Sequence, residues 1–277
     1  MQTQYTVTGG GGVELNVLEW GNAQGRPILF IHGWSQSYLC WEKQYESALA
    51  DEFRLVAFDL RGHGMSAAPA AESAYTSSQL WADDVHAVIS ARGLDRPVLV
   101  GWSYGGLVLT DYVRAYGDDA IAGINFVGAS VRLNEAVVGT LIGSGFSDTL
   151  PRSTSRDLAV SIDGIRDFID RCFAVKLSRK DYERTLCSNM TARPDVRAAL
   201  VARNVVADDV LRALKVPALV TQGRKDTAVL PAMAEHILAT CPTARASWYD
   251  EAAHGPFMES PQRFNRELAA FVRAVNA

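Results

Sequence analysis

One serine stands in a setting that favours nucleophilic chemistry at a hydroxyl group. Ser103 is the centre of Gly101-Trp102-Ser103-Tyr104-Gly105. An apolar stretch, 97–100, precedes this motif, and residues 107–114 carry apolar side chains at helical spacing. A G-x-S-x-G motif between a strand and a helix is typical of a strained turn that lifts the serine hydroxyl clear of a sheet. The motif therefore predicts Ser103 as a nucleophile.

A serine hydroxyl also needs a base that removes its proton and a third group that orients the base. The chain has five histidines, of which His86 and His236 fall in predicted helices. His254 follows the last predicted strand and precedes the last predicted helix. A loop histidine is usually exposed and inert, but α/β sheets place their sites at the carboxyl ends of strands. This position favours His254 as the base.

The predicted acid is Asp226, which follows the penultimate predicted strand at a glycine turn. A loop aspartate is more often a turn or helix-capping residue. The competing position, after the strand that ends near Val127, has the sequence Gly128-Ala129-Ser130 and offers no carboxylate. The chain order Ser103, Asp226, His254 is the Ser…Asp…His order that accompanies this type of serine turn.

The elements that must position these residues alternate between strands and helices. This alternation predicts a mostly parallel sheet with helices on both faces. It is preceded by a predicted antiparallel hairpin, 5–20, whose turn contains the glycines 9–12. Strands are predicted at 27–31, 55–58, 97–100, 121–127, 216–223 and 246–249, and helices at 41–49, 78–92, 107–114, 231–241 and 261–275.

The strand pattern stops between about Val131 and Asp209, where the segments are helix-like, amphipathic or polar. We interpret residues 131–209 as a helical cap inserted into a core domain formed by 1–130 and 210–277. The basic residues from Arg152 to Arg203 are predicted to lie on solvated faces of the cap and to form no phosphate site.

The composition is that of an ordinary globular protein and argues against binding to nucleic acid, membrane or zinc. The net charge of −4 indicates no nucleic-acid-binding surface. The 277 residues contain neither a membrane-length apolar run nor a recognisable signal peptide. The four scattered cysteines favour free thiols in a reducing compartment over a zinc site. We therefore expect a cytoplasmic protein that uses no metal or other cofactor.

Five motifs spread over almost the whole chain carry a family resemblance. They are His32-Gly33-Trp34, the Arg61-Gly62-His63-Gly64-Met65-Ser66 turn, the motif around Ser103, Gly223-Arg224-Lys225-Asp226 with Pro231, and His254-Gly255-Pro256 with Glu259 and Pro261. With these motifs the chain resembles the α/β-hydrolase family. The His32-Gly33-Trp34 motif, together with Trp41 and Gln44, is most similar to non-haem haloperoxidases and aryl esterases, and also to small lactone hydrolases. The resemblance implies a mostly parallel, eight-stranded sheet with a helical cap.

The resemblance also implies an oxyanion hole formed by the backbone N–H groups of Trp34 and Tyr104. Such groups stabilise the negative charge that develops when a carbonyl carbon becomes tetrahedral. The side chains of Trp34, Trp102 and Tyr104 are predicted to line the substrate pocket, with packing into the core as the alternative for Trp102. His32 and the 61–66 turn are interpreted as structural supports.

These observations predict a serine hydrolase that cleaves a small carboxylic ester or lactone through an acyl-enzyme on Ser103. A perhydrolase of the non-haem haloperoxidase type and an acyl-homoserine-lactone hydrolase are alternatives on the same fold. A small-molecule receptor with little turnover is an alternative from another class, because fold alone does not decide function. The sequence predicts neither the oligomeric state nor the acyl and alcohol groups of the substrate.

Overall fold

The computed structural model describes residues 2–277 and contains one large and one small sheet. The large sheet has the strand order β1-β2-β4-β3-β5-β6-β9-β10. Only the β1–β2 and β2–β4 pairs are antiparallel, which confirms the predicted mostly parallel, eight-stranded sheet. The strands are β1 Thr3–Thr8, β2 Glu14–Gly21, β3 Pro27–Ile31, β4 Arg54–Phe58, β5 Val98–Trp102, β6 Gly123–Val127, β7 Arg132–Leu133, β8 Val205–Val206, β9 Ala218–Gly223 and β10 Ala244–Tyr249.

Fourteen α-helices and three short 3-10 helices lie within the described residues. The 3-10 helices are Gly10–Gly12, Tyr38–Trp41 and Glu135–Val137. None of the helices in residues 2–277 has the length and apolar character needed to cross a bilayer. The α-helices are α1 Glu42–Tyr45, α2 Leu49–Glu52, α3 Ser73–Thr76, α4 Ser78–Ala91, α5 Gly105–Tyr116, α6 Ser144–Ser147, α7 Leu150–Ser153, α8 Leu158–Cys172, α9 Arg179–Thr191, α10 Pro194–Val201, α11 Asp208–Ala213, α12 Pro231–Thr240, α13 Pro256–Glu259 and α14 Pro261–Val275.

The central strands are apolar throughout because both faces of the sheet are covered. All residues of β3 and β5 are buried. In β3, Leu29 and Ile31 belong to one hydrophobic cluster, while Ile28 and Phe30 belong to the cluster on the other face. Successive side chains of a strand point to opposite faces of the sheet, so one continuous apolar strand contributes to the hydrophobic cores on both faces.

The prediction of one helix over 41–49 is wrong. The chain forms two short helices there, α1 and α2, separated near Ser47. The Ser47 hydroxyl donates to the carbonyl of Gln44 at 2.7 Å and accepts from the N–H of Leu49 at 3.2 Å. A serine that bonds to the nearby backbone in this way competes with helical hydrogen bonds, which explains the interruption.

Residues 131–209, here called the insertion, lie between β6 and β9 in the chain and add no strand to the large sheet. They contain helices α6 to α10, as the amphipathic segments predicted. They also contain β7 and β8, which pair antiparallel through Arg132 with Val206 and Leu133 with Val205. This small sheet, absent from the sequence-based expectation, holds the two ends of the insertion together. The division into a core and a cap stays a prediction.

Two basic residues of the insertion do not lie on solvated faces. Arg197 is fully buried, and Arg203 is 4% exposed. Arg203 forms an ion pair with Asp111 of α5, 2.6 Å away. Burial of a charge is stabilised by such pairing, and the partner lies 92 residues earlier in the chain. The prediction of a solvated face was therefore wrong for these two residues.

Candidate active site

Ser103 occupies the turn between β5 and α5 with a φ of 56°. Non-glycine residues rarely adopt this left-handed conformation, so the backbone is strained at this position. Its N–H donates to the carbonyl of Val127 at 3.0 Å, and its carbonyl accepts from the N–H of Ser130 at 2.9 Å. These bonds to β6 and the following loop hold the strained turn in place.

The two outer glycines of the motif are needed because the backbone is crowded there. A Cβ atom on Gly101 would lie 2.8 Å from the carbonyl oxygen of Gly105. A Cβ atom on Gly105 would lie 2.6 Å from the carbonyl oxygen of Ile31. A side chain at either position would therefore prevent helix α5 from starting directly over the ends of β3 and β5.

Asp226 and His254 form a buried pair at the ends of β9 and β10. His254 Nδ1 lies 2.8 Å from Asp226 Oδ2, and the two side chains are 1% and 0% exposed. Asp226 Oδ1 accepts from the N–H groups of Ala228 and Val229 at 2.9 and 3.0 Å. Gln222 Nε2 donates to Asp226 Oδ2 at 3.1 Å. The carboxylate is thus fixed by three donors and holds the imidazole through one ring nitrogen.

The backbone of His254 is held from both sides of the site. Its N–H donates to the carbonyl of Cys172, the last residue of α8, at 2.9 Å. Its carbonyl accepts from Trp102 Nε1 at 2.8 Å. The Trp102 ring packs edge-on against Phe257, at 5.0 Å between centroids, in the cluster on the opposite face from Trp34. Trp102 therefore does not line the cavity, and the alternative, packing into the core, is the observed one.

Glu259 is a supporting residue whose function the sequence analysis did not assign. Its Oε1 accepts from the N–H groups of Ala253 and Gly255 at 2.9 and 3.3 Å, on either side of His254. Its Oε2 accepts from the N–H of Ala174 at 2.7 Å. Burial raises the pKa of Glu259. The motif His254-Gly255-Pro256 with Glu259 was the available signal, but only the structure gives the contacts.

Ser103 and His254 line the same partly open cavity, whose space of about 380 Å³ is in part continuous with solvent. No hydrogen bond joins the Ser103 hydroxyl to His254 in the described residues; catalytic hydrogen bonds are often long before substrate binds. Besides Ser103, His254 and Ser130, the walls are hydrophobic or aromatic, and several come from the insertion. These walls include Trp34, Tyr104, Leu107, Leu133, Ile142, Phe146, Phe168, Val201, Ala228 and Val229.

A wider opening of about 1,220 Å³ lies against this cavity and shares part of its wall. Leu133, Ile142, Phe146 and Val201 border both spaces. All four belong to the insertion. The inner cavity therefore contains the candidate reactive groups, and the insertion separates it from the outer opening.

Trp34 and Tyr104 both line the inner cavity; that substrate binds there stays a prediction. Trp34 packs edge-on against Phe146 and Phe168, with ring centroids 5.2 and 5.5 Å apart, and its Nε1 donates to the carbonyl of Arg197 at 3.0 Å. Within residues 2–277, the backbone N–H groups of Trp34 and Tyr104 donate to no protein acceptor. Their assignment as an oxyanion hole stays a prediction.

His32 and His63 serve as hydrogen-bond acceptors within the core, in agreement with a structural interpretation. His32 Nε2 accepts from the N–H of Leu60 at 2.9 Å, and His63 Nε2 accepts from the N–H of Ser35 at 3.2 Å. Complete burial lowers the pKa of His32 to about 4 and that of His63 to about 3. Both rings are thus neutral at pH 7 and border neither cavity.

Residues 28–267 match the Alpha/beta hydrolase family. This match covers well over half of the chain, and the protein belongs to the α/β-hydrolase family. The fold, the serine turn after β5 and the polar loops after β9 and β10 agree with this assignment.

Similar proteins define the assignment further. A Burkholderia cenocepacia protein described as an aryl esterase is 36% identical, with a TM-score of 0.94 over 99% of each chain. A Rhodococcus esterase is 36% identical, with a TM-score of 0.91 over 98% of this chain and 99% of that one. A non-haem haloperoxidase of Rhodococcus erythropolis is 27% identical over 97% of this chain and 99% of its own. The protein is thus an α/β hydrolase of the esterase and haloperoxidase type.

Proposed function

We propose that the protein hydrolyses small carboxylic esters and lactones through a Ser103–His254–Asp226 triad. The observation that carries this proposal is the buried 2.8 Å contact between His254 Nδ1 and Asp226 Oδ2, beside the cavity that Ser103 also lines. The names of the esterase relatives support an ester as the substrate. A lactone is a cyclic ester and needs the same chemistry.

In the first half-reaction, His254 Nε2 accepts the Ser103 proton while Ser103 Oγ attacks the ester carbonyl carbon. Asp226 keeps the second ring proton on Nδ1 and stabilises the imidazolium that forms. The N–H groups of Trp34 and Tyr104 stabilise the oxyanion of the tetrahedral intermediate. The carbon–oxygen bond to the alcohol then breaks, and His254 donates its proton to the departing oxygen.

In the second half-reaction, water replaces the alcohol. His254 accepts a proton from water as the hydroxide oxygen attacks the acyl-enzyme carbonyl. The bond to Ser103 breaks, the proton returns to Ser103, and the carboxylic acid leaves. The hydrophobic walls of the inner cavity favour an apolar acyl group, because they offer few partners for polar substituents.

Covalent labelling tests the assignment of the nucleophile. A fluorophosphonate probe should label the parent protein and fail to label Ser103→Ala. Ser130→Ala is the matched control, because Ser130 is another serine in the same cavity wall, and this variant should be labelled normally. Equal labelling of the parent and Ser103→Ala would contradict the proposal.

Turnover separates a hydrolase from a receptor of the same fold. With p-nitrophenyl acetate, the parent should turn over many times, while Ser103→Ala and His254→Ala should each lose roughly 10³-fold or more in kcat. Binding of a lactone at one equivalent without turnover in the parent would instead favour the receptor.

A further inference from the structure

A second buried polar network lies directly behind the proposed oxyanion donor. Arg203 Nη2 donates to Asp111 Oδ2 at 2.6 Å and to the Ser78 hydroxyl at 2.9 Å, while its Nη1 donates to the Tyr104 hydroxyl at 3.1 Å. The Arg203 and Asp111 side chains are 1% and 2% exposed. Charge-assisted hydrogen bonds in such surroundings are strong and directional.

This network joins the insertion to the helix that follows Ser103. Asp111 lies in α5, and Tyr104 is the residue immediately before that helix. Arg203 lies in the insertion, between α10 and β8. The Tyr104 hydroxyl also donates to the carbonyl of Leu200, the penultimate residue of α10, at 3.3 Å. Both polar partners of the Tyr104 side chain therefore come from the insertion.

Tyr104 has two separate functions in this arrangement. Its ring packs against Trp81, with centroids 5.8 Å apart, and its hydroxyl is held by the insertion. Its backbone N–H is the proposed donor to the oxyanion. A donor contributes to catalysis only when it lies about 2.7–3.1 Å from the position that the oxyanion occupies. Any rotation of the Tyr104 side chain that shifts its backbone would move this donor.

We propose that Arg203 is a positioning residue that holds the oxyanion donor of Tyr104 in place. The insertion would then determine the rate of the chemical step as well as the access of substrate to the inner cavity. This inference depends on the proposed serine hydrolase function. It follows from the contacts because Arg203 binds the Tyr104 side chain and α5 at once. The substrate does not contact Arg203 in this mechanism.

A paired substitution tests the proposal without leaving a buried charge alone. Replacing only Arg203 would leave Asp111 buried without its cation, and such variants are strongly destabilised. The double variant Asp111→Leu/Arg203→Met removes both charges and the bond to Tyr104. With p-nitrophenyl acetate we expect a roughly 10- to 100-fold lower kcat, a KM within about 3-fold of the parent, and a melting temperature close to the parent.

A trifluoromethyl ketone provides a readout that a purely structural contribution would not change. Its tetrahedral adduct with Ser103 carries an oxyanion at the position where the two N–H groups converge. Its inhibition constant should rise by the same factor by which kcat/KM falls. A double variant that folds and keeps both values within 2-fold of the parent would overturn the proposal.

The exposed pair of Arg114 and Asp209 supplies the matched control. It also joins α5 to the insertion, through Asp209, its last residue, at 2.8 Å, but its side chains are 45% and 64% exposed. Arg114→Met should therefore leave kcat and the inhibition constant within 2-fold of the parent. An equal loss in Arg114→Met and in the double variant would show that any disturbance of α5 suffices, and would contradict a specific action through Tyr104.

A double-mutant cycle identifies the route of the effect. Tyr104→Phe removes the hydroxyl and should itself lower kcat. If Arg203 acts through that hydroxyl, adding Asp111→Leu/Arg203→Met to Tyr104→Phe should lower kcat by less than about 3-fold more. If the two losses in kcat instead multiply in full, Arg203 does not act through the Tyr104 hydroxyl. Activity retained in Ser103→Ala would instead refute the underlying hydrolase function.

Discussion

The carboxyl edge of the sheet and the insertion that faces it contribute different physical interactions to the site. On the sheet side, Asp226 and His254 are fixed by hydrogen bonds from neighbouring loops. On the insertion side, Phe146, Phe168 and Val201 contribute apolar walls. Hydrogen bonds have narrow geometric limits, whereas apolar packing accepts many shapes of similar volume. With the proposed function, this difference predicts that the chemistry takes place at the sheet edge and that the insertion determines which substrates fit.

The separation is incomplete at four points. The carbonyl of Cys172 binds the backbone of His254, and the N–H of Ala174 binds Glu259. Arg203 binds Tyr104, and the carbonyl of Arg197 accepts from Trp34 Nε1. At each point, the insertion supplies a hydrogen bond to a residue or loop of the candidate catalytic machinery. We therefore expect the effect of a substitution to depend first on whether it removes a hydrogen bond or an apolar contact. Whether the residue lies at the sheet edge or in the insertion should matter less.

Asp226→Asn should have the largest effect. An amide cannot stabilise the imidazolium of His254 as a carboxylate does, and its NH₂ group favours the wrong tautomer. We expect a fall of roughly 10³- to 10⁴-fold in kcat for p-nitrophenyl acetate at pH 7. Asp250→Asn is the control, since Asp250 is exposed and pairs with Arg224, and should change kcat by less than 2-fold. Near-full turnover of Asp226→Asn would require another acid.

Phe146→Ala should have an intermediate effect, on selectivity. Phe146 borders both the inner cavity and the outer opening, so its truncation should join them and accommodate longer acyl chains. Each methylene that becomes buried contributes about 0.8 kcal/mol. We expect the kcat/KM ratio of p-nitrophenyl hexanoate to acetate to rise at least roughly 10-fold.

Leu150→Ala is the matched control for this selectivity change, because Leu150 borders the outer opening only. It should leave the hexanoate-to-acetate ratio within 2-fold of the parent. A ratio that is unchanged in Phe146→Ala, or equally raised in Leu150→Ala, would break the assignment of substrate fit to the inner wall of the insertion.

Asp208→Asn should have the smallest effect, on stability alone. Asp208 accepts from Arg132 Nε at 2.8 Å and lies 3.0 Å from His236 Nε2. The bond to Arg132, with a further contribution from His236, lowers the pKa of Asp208 from 3.8 to about 2. We expect a loss of about 1 kcal/mol in unfolding free energy at pH 7, measured by urea denaturation.

The pH dependence of this loss has a defined sign. Because the folded-state pKa of Asp208 is lowered, its stabilisation is complete above the ordinary pKa of 3.8 and is lost as pH falls through about 2. The difference between the parent and Asp208→Asn should therefore shrink as pH falls below 4. Asp163→Asn, at an exposed pair with Arg166, should show almost no difference at any pH.

Sequence reasoning could select the candidate reactive residues because each lies in the turn or loop that follows a strand. Ser103, Asp226 and His254 come after β5, β9 and β10, and the carboxyl ends of parallel strands share one edge of a sheet. The same reasoning left two positions open for Trp102, the pocket wall or the core, and the residue packs into the core on the face opposite Trp34. A position next to Ser103 in the chain does not decide on which side of the sheet a side chain packs.

Residues of the insertion were beyond this reasoning. Phe146 and Phe168 lie in short or amphipathic helices whose local pattern shows that one face is buried but not what it faces. Arg203 was expected on a solvated face, since arginine is usually exposed. Its burial depends on Asp111 and Tyr104, which are distant in the chain.

The sequence by itself determined the alternation of strands and helices, the strained turn at Ser103 and the loops that carry Asp226 and His254. These features follow from local periodicity, glycine sterics and the directional constraint of parallel strands. Only the tertiary structure decided how the insertion lies against the sheet edge, and with it the walls of the cavity and the anchoring of Tyr104 by Arg203. The physical reason is that these contacts join side chains far apart in the chain, whose energies depend on shape and charge complementarity that no local pattern contains.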